Sequence, residues 1–271
     1  MNFITRLAEA SHANRSLLCI GLDLEPSAMP DGIDFYAFNR EIIDATRDLV
    51  CAYKPNIAFY EADGISGLVA LRKTIQYIGG KIPVILDAKR GDIGNTAKAY
   101  ARAIFDDFGA DAVTASPYLG RDSLEPFMER ADKGVFILCR TSNAGSGDFQ
   151  SLTVETATGK KMLFEAVAEK VNEWNVHGNL GLVAGATYPQ ELKLLRGRYP
   201  QMPLLIPGVG SQGGDLQEVM DYGVDVKRER TVINSSRQVL YASKGTDFAE
   251  AARKVALKLR DDMNACLEAG K

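Results

Sequence analysis

Histidine is nearly absent from this 271-residue chain: there are two, His12 and His177. Neither has a partner at metal-ligand spacing, so a two-His or three-His metal centre is excluded. Neither lies beside a nucleophile-elbow motif, which sets aside Ser-His-Asp chemistry as well. Cysteine is also scarce. Cys19, Cys51, Cys139 and Cys266 are far apart and form no C-x-x-C pair, and Cys19 and Cys139 sit inside apolar runs. They read as free thiols of a reducing compartment. There is no basic excess, because 32 Lys and Arg face 35 Asp and Glu for a net charge of -3. Neither nucleic acid nor an anionic membrane surface is therefore favoured as a partner. No run of 18 apolar residues occurs, and the opening MNFITRLAEASHANRS lacks a charged-then-apolar signal pattern. The expectation is a cytoplasmic protein with no membrane span.

What the chain does have is 46% apolar and 25% charged residues, the balance of a globular protein with a sizeable core. Short β-branched runs alternate with longer helical-period stretches. The runs Ser16–Leu24, Tyr53–Glu61, Pro83–Lys89, Ala112–Pro117, Val135–Thr141, Leu180–Thr187, Pro203–Val209 and Thr231–Ser235 are almost continuously apolar. That is the pattern of parallel strands covered on both faces. Between them, Phe35–Val50, Lys161–Trp174 and the closing Asp247–Leu267 carry apolar residues at three- and four-residue spacing. Turn signals at Pro26, Pro30, Gly79-Gly80, Gly109, Gly134, Gly178 and Gly223 punctuate the units. Eight units of about 34 residues, with no linker between them, predict an α/β fold: a (β/α)8 TIM barrel forming a single domain over residues 1–271. A doubly wound open sheet is the alternative.

In such a barrel, function gathers at the carboxyl ends of the strands. Polar residues cluster at those predicted ends: Asp23; Lys54 and Glu61; Asp87-Ala88-Lys89 running on to Asp92; Thr141-Ser142-Asn143; Pro207-Gly208-Val209-Gly210; and Asn234-Ser235-Ser236-Arg237. The strongest signal is VILDAKRGDIGNTA at 84–97. Residues two apart on a strand face the same way, so Asp87 and Lys89 are expected to share the barrel mouth. A carboxylate beside an ammonium favours both charged forms, which makes such a lysine a proton donor and a poor Schiff-base nucleophile. By residue type alone, a barrel-mouth ion pair with no chemistry is the competing reading.

Residues 208–213, GVGSQG, satisfy the letter of a dinucleotide-binding glycine motif. That fold needs an acidic residue ending the next strand. Asp225 and Glu229 are at about the right distance but precede Thr231–Ser235. The barrel phosphate site fits better, built from the loops after strands seven and eight. Gly210, Gly213 and Gly214 leave backbone N–H groups accessible, and Ser236-Arg237 opens a short helical stretch, Arg237–Ala242, suited to a phosphate.

The pattern Asp87-x-Lys89-x-x-Asp92-Ile93-x-x-Thr96 resembles the signature of the orotidine 5′-phosphate decarboxylase family. The likeness extends to Gly21-Leu22-Asp23, Tyr53-Lys54-Pro55-Asn56 with Phe59-Tyr60-Glu61, Pro207 through Gly214, and Asn234-Ser235-Ser236-Arg237. The wording around Lys54–Glu61 and Arg140–Asn143 is most similar to a longer bacterial subgroup. The resemblance implies decarboxylation of orotidine 5′-phosphate in pyrimidine synthesis with no metal or organic cofactor. Lys89 would protonate C6, with Asp87 near the departing carboxylate. Lys54, Asp87, Lys89 and Asp92 of the partner subunit would form an alternating charge network. Asp92, Ile93 and Thr96 would cross a homodimer interface, Thr96 to a ribose hydroxyl. Asp23 and Lys54 would hold ribose hydroxyls. Ser142 would touch the pyrimidine, with Thr141 and Asn143 as adjacent candidates. Pro207, Gln212, Ser236 and Arg237 would line the substrate's phosphate end. Asp23, Asp87 and Asp92 are acidic enough for Mg²⁺, but Lys54 and Lys89 between them would repel it. The polar, glycine-containing stretch 142–158 is expected to be a mobile flap. A sugar-phosphate aldolase or epimerase, and a catalytically silent nucleotide-binding barrel, are the rival functions.

Overall fold

Ten strands form where the sequence is β-branched and apolar, or, in one hairpin, polar and exposed. In the computed structural model, which describes residues 1–209 and 215–269, they are β1 Leu18–Leu22, β2 Ala52–Pro55, β3 Ile85–Arg90, β4 Ala112–Ala115, β5 Gly134–Arg140, β6 Thr153–Thr156, β7 Gly159–Met162, β8 Leu180–Ala184, β9 Leu204–Pro207 and β10 Thr231–Ser235. Eight of them make one parallel sheet in the order β2-β1-β10-β9-β8-β5-β4-β3. The two ends of that order meet. Tyr53 N donates to Pro83 O at 3.1 Å, and parallel bridges join Tyr53 to Val84 and Asn56 to Asp87. The sheet is thus a (β/α)8 barrel, as expected, with helices outside it.

Alternation along each strand sorts the side chains into two cores. Outward residues such as Leu18, Ile20, Leu86, Val113, Val135, Ile137, Leu182, Leu204 and Ile233 pack under the helices. Inward residues Cys19, Ala52, Ile85, Ala112, Phe136, Val183, Leu205 and Val232 fill the barrel. The bottom is closed by a helix that the sequence reading did not anticipate, Phe3–Asn14, whose Asn2 side chain caps Thr5 N at 2.9 Å. Phe3 and Leu7 from this helix join the inner core, and Phe3 meets Phe136 edge-on at 5.8 Å. Gly134 makes that entry possible, since a Cβ there would overlap the ring of Phe3.

Two differences from the expected elements bear on the site. The second strand does not run to Glu61. It stops at Pro55, and Asn56 accepts from Ala58 N at 3.1 Å to cap a helix, Ile57–Ala62. Glu61 is therefore not a strand-end residue; it sits on that helix and pairs with Arg90 at 2.8 Å. The segment after β5 is not a bare loop. It holds a short helix, Gly147–Gln150, and the β6–β7 antiparallel hairpin, so Lys161 is in a strand and the next helix begins at Leu163.

Candidate functional site

One step above the apolar plug, the inward positions turn polar. Asp23 follows β1, Lys54 is on β2, Asp87 on β3, Thr114 on β4 and Asn234 on β10; together with Lys89 they line a cavity of about 620 Å³ at the carboxyl end of the barrel. Leu138, Val183 and Leu205 form an apolar part of the wall.

The charges alternate. Lys54 Nζ is 3.7 Å from Asp23 Oδ1 and 3.2 Å from Asp87 Oδ2, and Lys89 Nζ is 2.7 Å from Asp87 Oδ1. Thr114 Oγ1 donates to the same Oδ1 at 2.7 Å. Lys54 is the deepest member, its side chain 5% exposed, while Lys89 is half exposed at the cavity rim. Burial by itself would push the Asp87 carboxyl up, but the ammonium groups of Lys54 and Lys89 outweigh it and hold it well below the usual carboxylate range. Burial would likewise push Lys54 down, and the carboxylates of Asp23 and Asp87 more than reverse that. Lys54 and Asp87 are thus held charged, and Asp87 has used both oxygens to orient two ammonium groups.

Beside β1, Asp23 Oδ1 and Asn234 Oδ1 are buried without a hydrogen-bond partner among the described residues. Such atoms cost about 1–3 kcal/mol each, which a donor on a bound molecule offsets. Gly21 creates the room, because a Cβ there would overlap Ser236 Oγ. On the opposite wall, Gln150 Oε1 accepts from Thr141 N at 2.8 Å and Gln150 Nε2 donates to Thr141 Oγ1 at 2.9 Å. Ser142 and Asn143 line the cavity beside them. Behind this wall Arg140 is buried, with Nε 2.5 Å from Glu191 Oε2, Nη1 2.6 Å from Ser146 Oγ, and the guanidinium 3.6 Å from the Tyr188 ring centroid. It ties β5 to the segment that carries Gln150.

Of the anticipated residues, Asp23, Lys54, Asp87, Lys89, Ser142, Pro207, Ser236 and Arg237 all line this one cavity. Arg237 is exposed and opens a short helix, Arg237–Leu240, ending two residues before the expected Ala242. Gln212, with Gly210, Gly213 and Gly214, lies outside the described residues. Asp92, Ile93 and Thr96 do not line the cavity. Asp92 Oδ1 accepts from Ile93 N at 2.8 Å, Ile93 is 60% exposed, and Thr96 is exposed on the helix Gly94–Arg102.

Thr114, Asn56, Leu138, Gln150 and the supporting Arg140 were not singled out as site residues. Thr114 had a signal, since it is two positions from Ala112 and shares its inward phase. Gln150 had none, because its place depends on a helix and hairpin that bring it back over the barrel.

The model of the Orotidine 5'-phosphate decarboxylase / HUMPS family matches residues 16–255. The chain is 53% identical over 264 residues to an orotidine 5'-phosphate decarboxylase of Dehalococcoides mccartyi (strain ATCC BAA-2266 / KCTC 15142 / 195), covering 97% of this chain and 98% of that one. It is 55% identical over 260 residues to the Herpetosiphon aurantiacus protein of the same name, covering 94% and 95%. Among solved structures, the OMP decarboxylase of Leishmania donovani superposes with a TM-score of 0.84 at 42% identity, covering 98% of this chain and 99% of that one. From its first barrel strand into its last helix, this chain therefore belongs to the Orotidine 5'-phosphate decarboxylase / HUMPS family.

Proposed function

We propose that the protein decarboxylates orotidine 5′-phosphate to uridine 5′-phosphate in pyrimidine biosynthesis, with Lys89 as the proton donor. The observation that carries this reading is the Asp23–Lys54–Asp87–Lys89 row along the wall of one nucleotide-sized cavity.

The bond between C6 and the carboxylate breaks heterolytically, CO₂ leaves, and the electron pair stays on C6 in the ring plane, where no ring carbonyl delocalises it. A fixed ammonium answers both needs, stabilising the pair and then transferring its proton to C6. Asp87 positions that ammonium through its 2.7 Å contact with Lys89 Nζ and lies beside the departing carboxylate. Asp23 and Lys54 take the ribose hydroxyls, and Asp23 Oδ1 has an unfilled acceptor for one. Ser142 faces the pyrimidine. Pro207, Ser236 and Arg237, with Gln212, receive the phosphate. Enzymes lower barriers by roughly 8–23 kcal/mol, and a carbanion this poorly stabilised calls for the upper part of that range. One ion pair does not supply it, so binding of the remote phosphate contributes to assembling the site. The segment from Ser142 through the β6–β7 hairpin carries Gln150 into the cavity wall, which supports a closing role for it.

No metal or organic cofactor enters this reading; Lys54 stands between Asp23 and Asp87 and Lys89 lies against Asp87, so these ammonium groups would repel a divalent cation. The working form is a homodimer in which Asp92, Ile93 and Thr96 complete the site of the partner. In support, these residues lie outside their own cavity, and Ile93 is a large apolar side chain left 60% exposed. Among the described residues no helix is long and apolar enough to cross a membrane. With buried free thiols at Cys19, Cys51 and Cys139, we place the enzyme in the cytoplasm.

The test is spectrophotometric loss of orotidine 5′-phosphate in the presence of EDTA. The expected result is full turnover. Absence of turnover, or its abolition by the chelator, would reject the proposal and point to a metal-dependent sugar-phosphate reaction.

A further inference from the structure

We infer that Thr114 is the positioning residue that sets both the carboxylate of Asp87 and the backbone of Lys89, and so fixes where the reactive ammonium stands. This inference rests on the proposed decarboxylase reading and adds a residue to its machinery.

The argument begins with an irregularity. β3 and β4 pair in step at Ile85–Ala112 and Leu86–Val113, and next at Arg90–Ala115. From Leu86 to Arg90 is four positions, whereas from Val113 to Ala115 is two, so β3 carries two residues more than its partner. The excess falls on the stretch that holds Asp87 and Lys89. A strand that bulges in this way leaves ladder groups unpaired and re-aims its side chains.

Lys89 shows the consequence. Its φ is +46°, one of three positive values at non-glycine positions among the described residues. A β-carbon-bearing residue held there persists only where its surroundings over-determine the conformation. Thr114 supplies that determination. It is 2% exposed, and its Oγ1 accepts the Lys89 N–H at 3.0 Å and donates its own proton to Asp87 Oδ1 at 2.7 Å. The hydroxyl takes the place of the backbone acceptor that the bulge removed. Since a hydroxyl that accepts from one group can still donate to another, one oxygen fixes both ends of the Asp87–Lys89 pair. Asp87 Oδ1 then accepts from Thr114 and from Lys89 Nζ at the same 2.7 Å, while Oδ2 is turned to Lys54. Without the hydroxyl, the carboxylate loses the bond that opposes rotation, the Lys89 N–H loses its acceptor, and the left-handed backbone loses its restraint.

Valine keeps the shape of threonine and removes the oxygen; serine keeps the oxygen and removes the methyl group. The Thr114→Val enzyme is expected to lose roughly 10–100-fold in kcat, the scale for small misplacement of a reacting group, with KM within about threefold of the parent. Thr114→Ser is expected within about fivefold of the parent in kcat. Should Thr114→Val fail to fold, Thr114→Ala against Thr114→Ser isolates the same oxygen. Equal kcat in the Val and parent enzymes, a loss confined to KM, or a Ser variant as impaired as the Val or Ala variant would overturn the inference. A readout independent of turnover is the crystal structure of the Val or Ala variant. The expected result is that Lys89 leaves positive φ or its Nζ moves off Asp87. An unchanged Lys89 there overturns the inference whatever reaction the enzyme performs, whereas a parent enzyme inert towards orotidine 5′-phosphate would reject only the decarboxylase reading.

Discussion

Lys54 is the residue on which the charge row depends, because it is buried between two carboxylates and makes no contact with bulk water comparable to that of Lys89. Its Nζ lies within 3.7 Å of Asp23 and 3.2 Å of Asp87, so removing it leaves two largely buried acids without the cation between them. Lys54 and Lys89 hold the folded-state pKa of Asp87 well below the ordinary carboxylate value of 3.8. Its contribution to stability is therefore present above about pH 4 and is lost as pH falls through the folded value. Lys54, raised above 10.5, contributes fully below that pH and loses its contribution as pH rises through its own folded value. In Lys54→Met the burial of Asp87 is opposed by one cation, Lys89, in place of two, and its pKa moves up. The variant is expected to be about 3–5 kcal/mol less stable at pH 7. The gap to the parent narrows towards pH 4.5 as the carboxylates take up protons. Denaturant melts at the two pH values check this, and a gap independent of pH would contradict it. Lys89 and Arg237 divide the work differently. Lys89→Ala is expected to lose at least about 1,000-fold in kcat while keeping uridine 5′-phosphate affinity within about tenfold, since it removes the proposed proton donor and its charge. Arg237→Ala removes the charge-assisted hydrogen bond proposed for the phosphate end and is expected to raise KM by roughly 10–100-fold. Steady-state kinetics with calorimetric titration of the product separates the two.

At the scale of elements, the same barrel has a working end and a holding end. Arg196, on the helix Pro189–Arg198, is 8% exposed at the end remote from the cavity. Its guanidinium donates to Gly223 O at 2.9 Å, Met202 O at 2.7 Å, Pro200 O at 3.2 Å, Arg230 O at 3.4 Å and Thr231 Oγ1 at 3.3 Å. Burial pushes its pKa down to about 10 against the pull of Asp225, so it stays charged at neutral pH. These acceptors belong to the chain entering β9 and β10, and a smaller side chain strands them. Arg196→Ala is expected to cost about 3 kcal/mol, or roughly 6–12 °C in Tm, with kcat at 25 °C unchanged. A thermal melt beside the kinetic assay checks it. The elements themselves were unevenly legible. The eight barrel strands were readable because burial on both faces makes their sequences continuously apolar. The end of β2 was not, since Ile57 and Tyr60 continue the apolar run and their helical packing looks the same in a short window. The helix Phe3–Asn14 was passed over because only the barrel's open bottom explains why Phe3 and Leu7 are apolar. The β6–β7 hairpin is polar and exposed, so it offers no periodic apolar face to read.

At the scale of the whole molecule, closure of the barrel sets the site. Closure brings β2 and β3, the ends of the strand order, together, and so sets Lys54 beside Asp87. Pairing with a second copy is proposed to bring in Asp92, Ile93 and Thr96. Ile93→Glu places a charge on that exposed apolar position and is expected to shift the protein to monomer in sedimentation velocity, with kcat/KM falling at least about 100-fold. A monomer of undiminished activity would show that each chain completes its own site.

The residues alone determined the architecture, the place of the eight barrel strands and the identity of most polar cavity-lining groups, because hydrophobic period and charge spacing are properties of the chain itself. Tertiary structure alone decided three things. It put Asp23, Lys54, Asp87 and Lys89 into one alternating row, which requires three strands from distant parts of the chain to close side by side. It also brought Gln150 and Arg140 to the opposite wall, and it slipped β3 by two residues against β4 so that the Thr114 hydroxyl replaces a missing backbone acceptor. Each of these depends on which atoms meet across the barrel, and such meetings leave no period in a linear sequence.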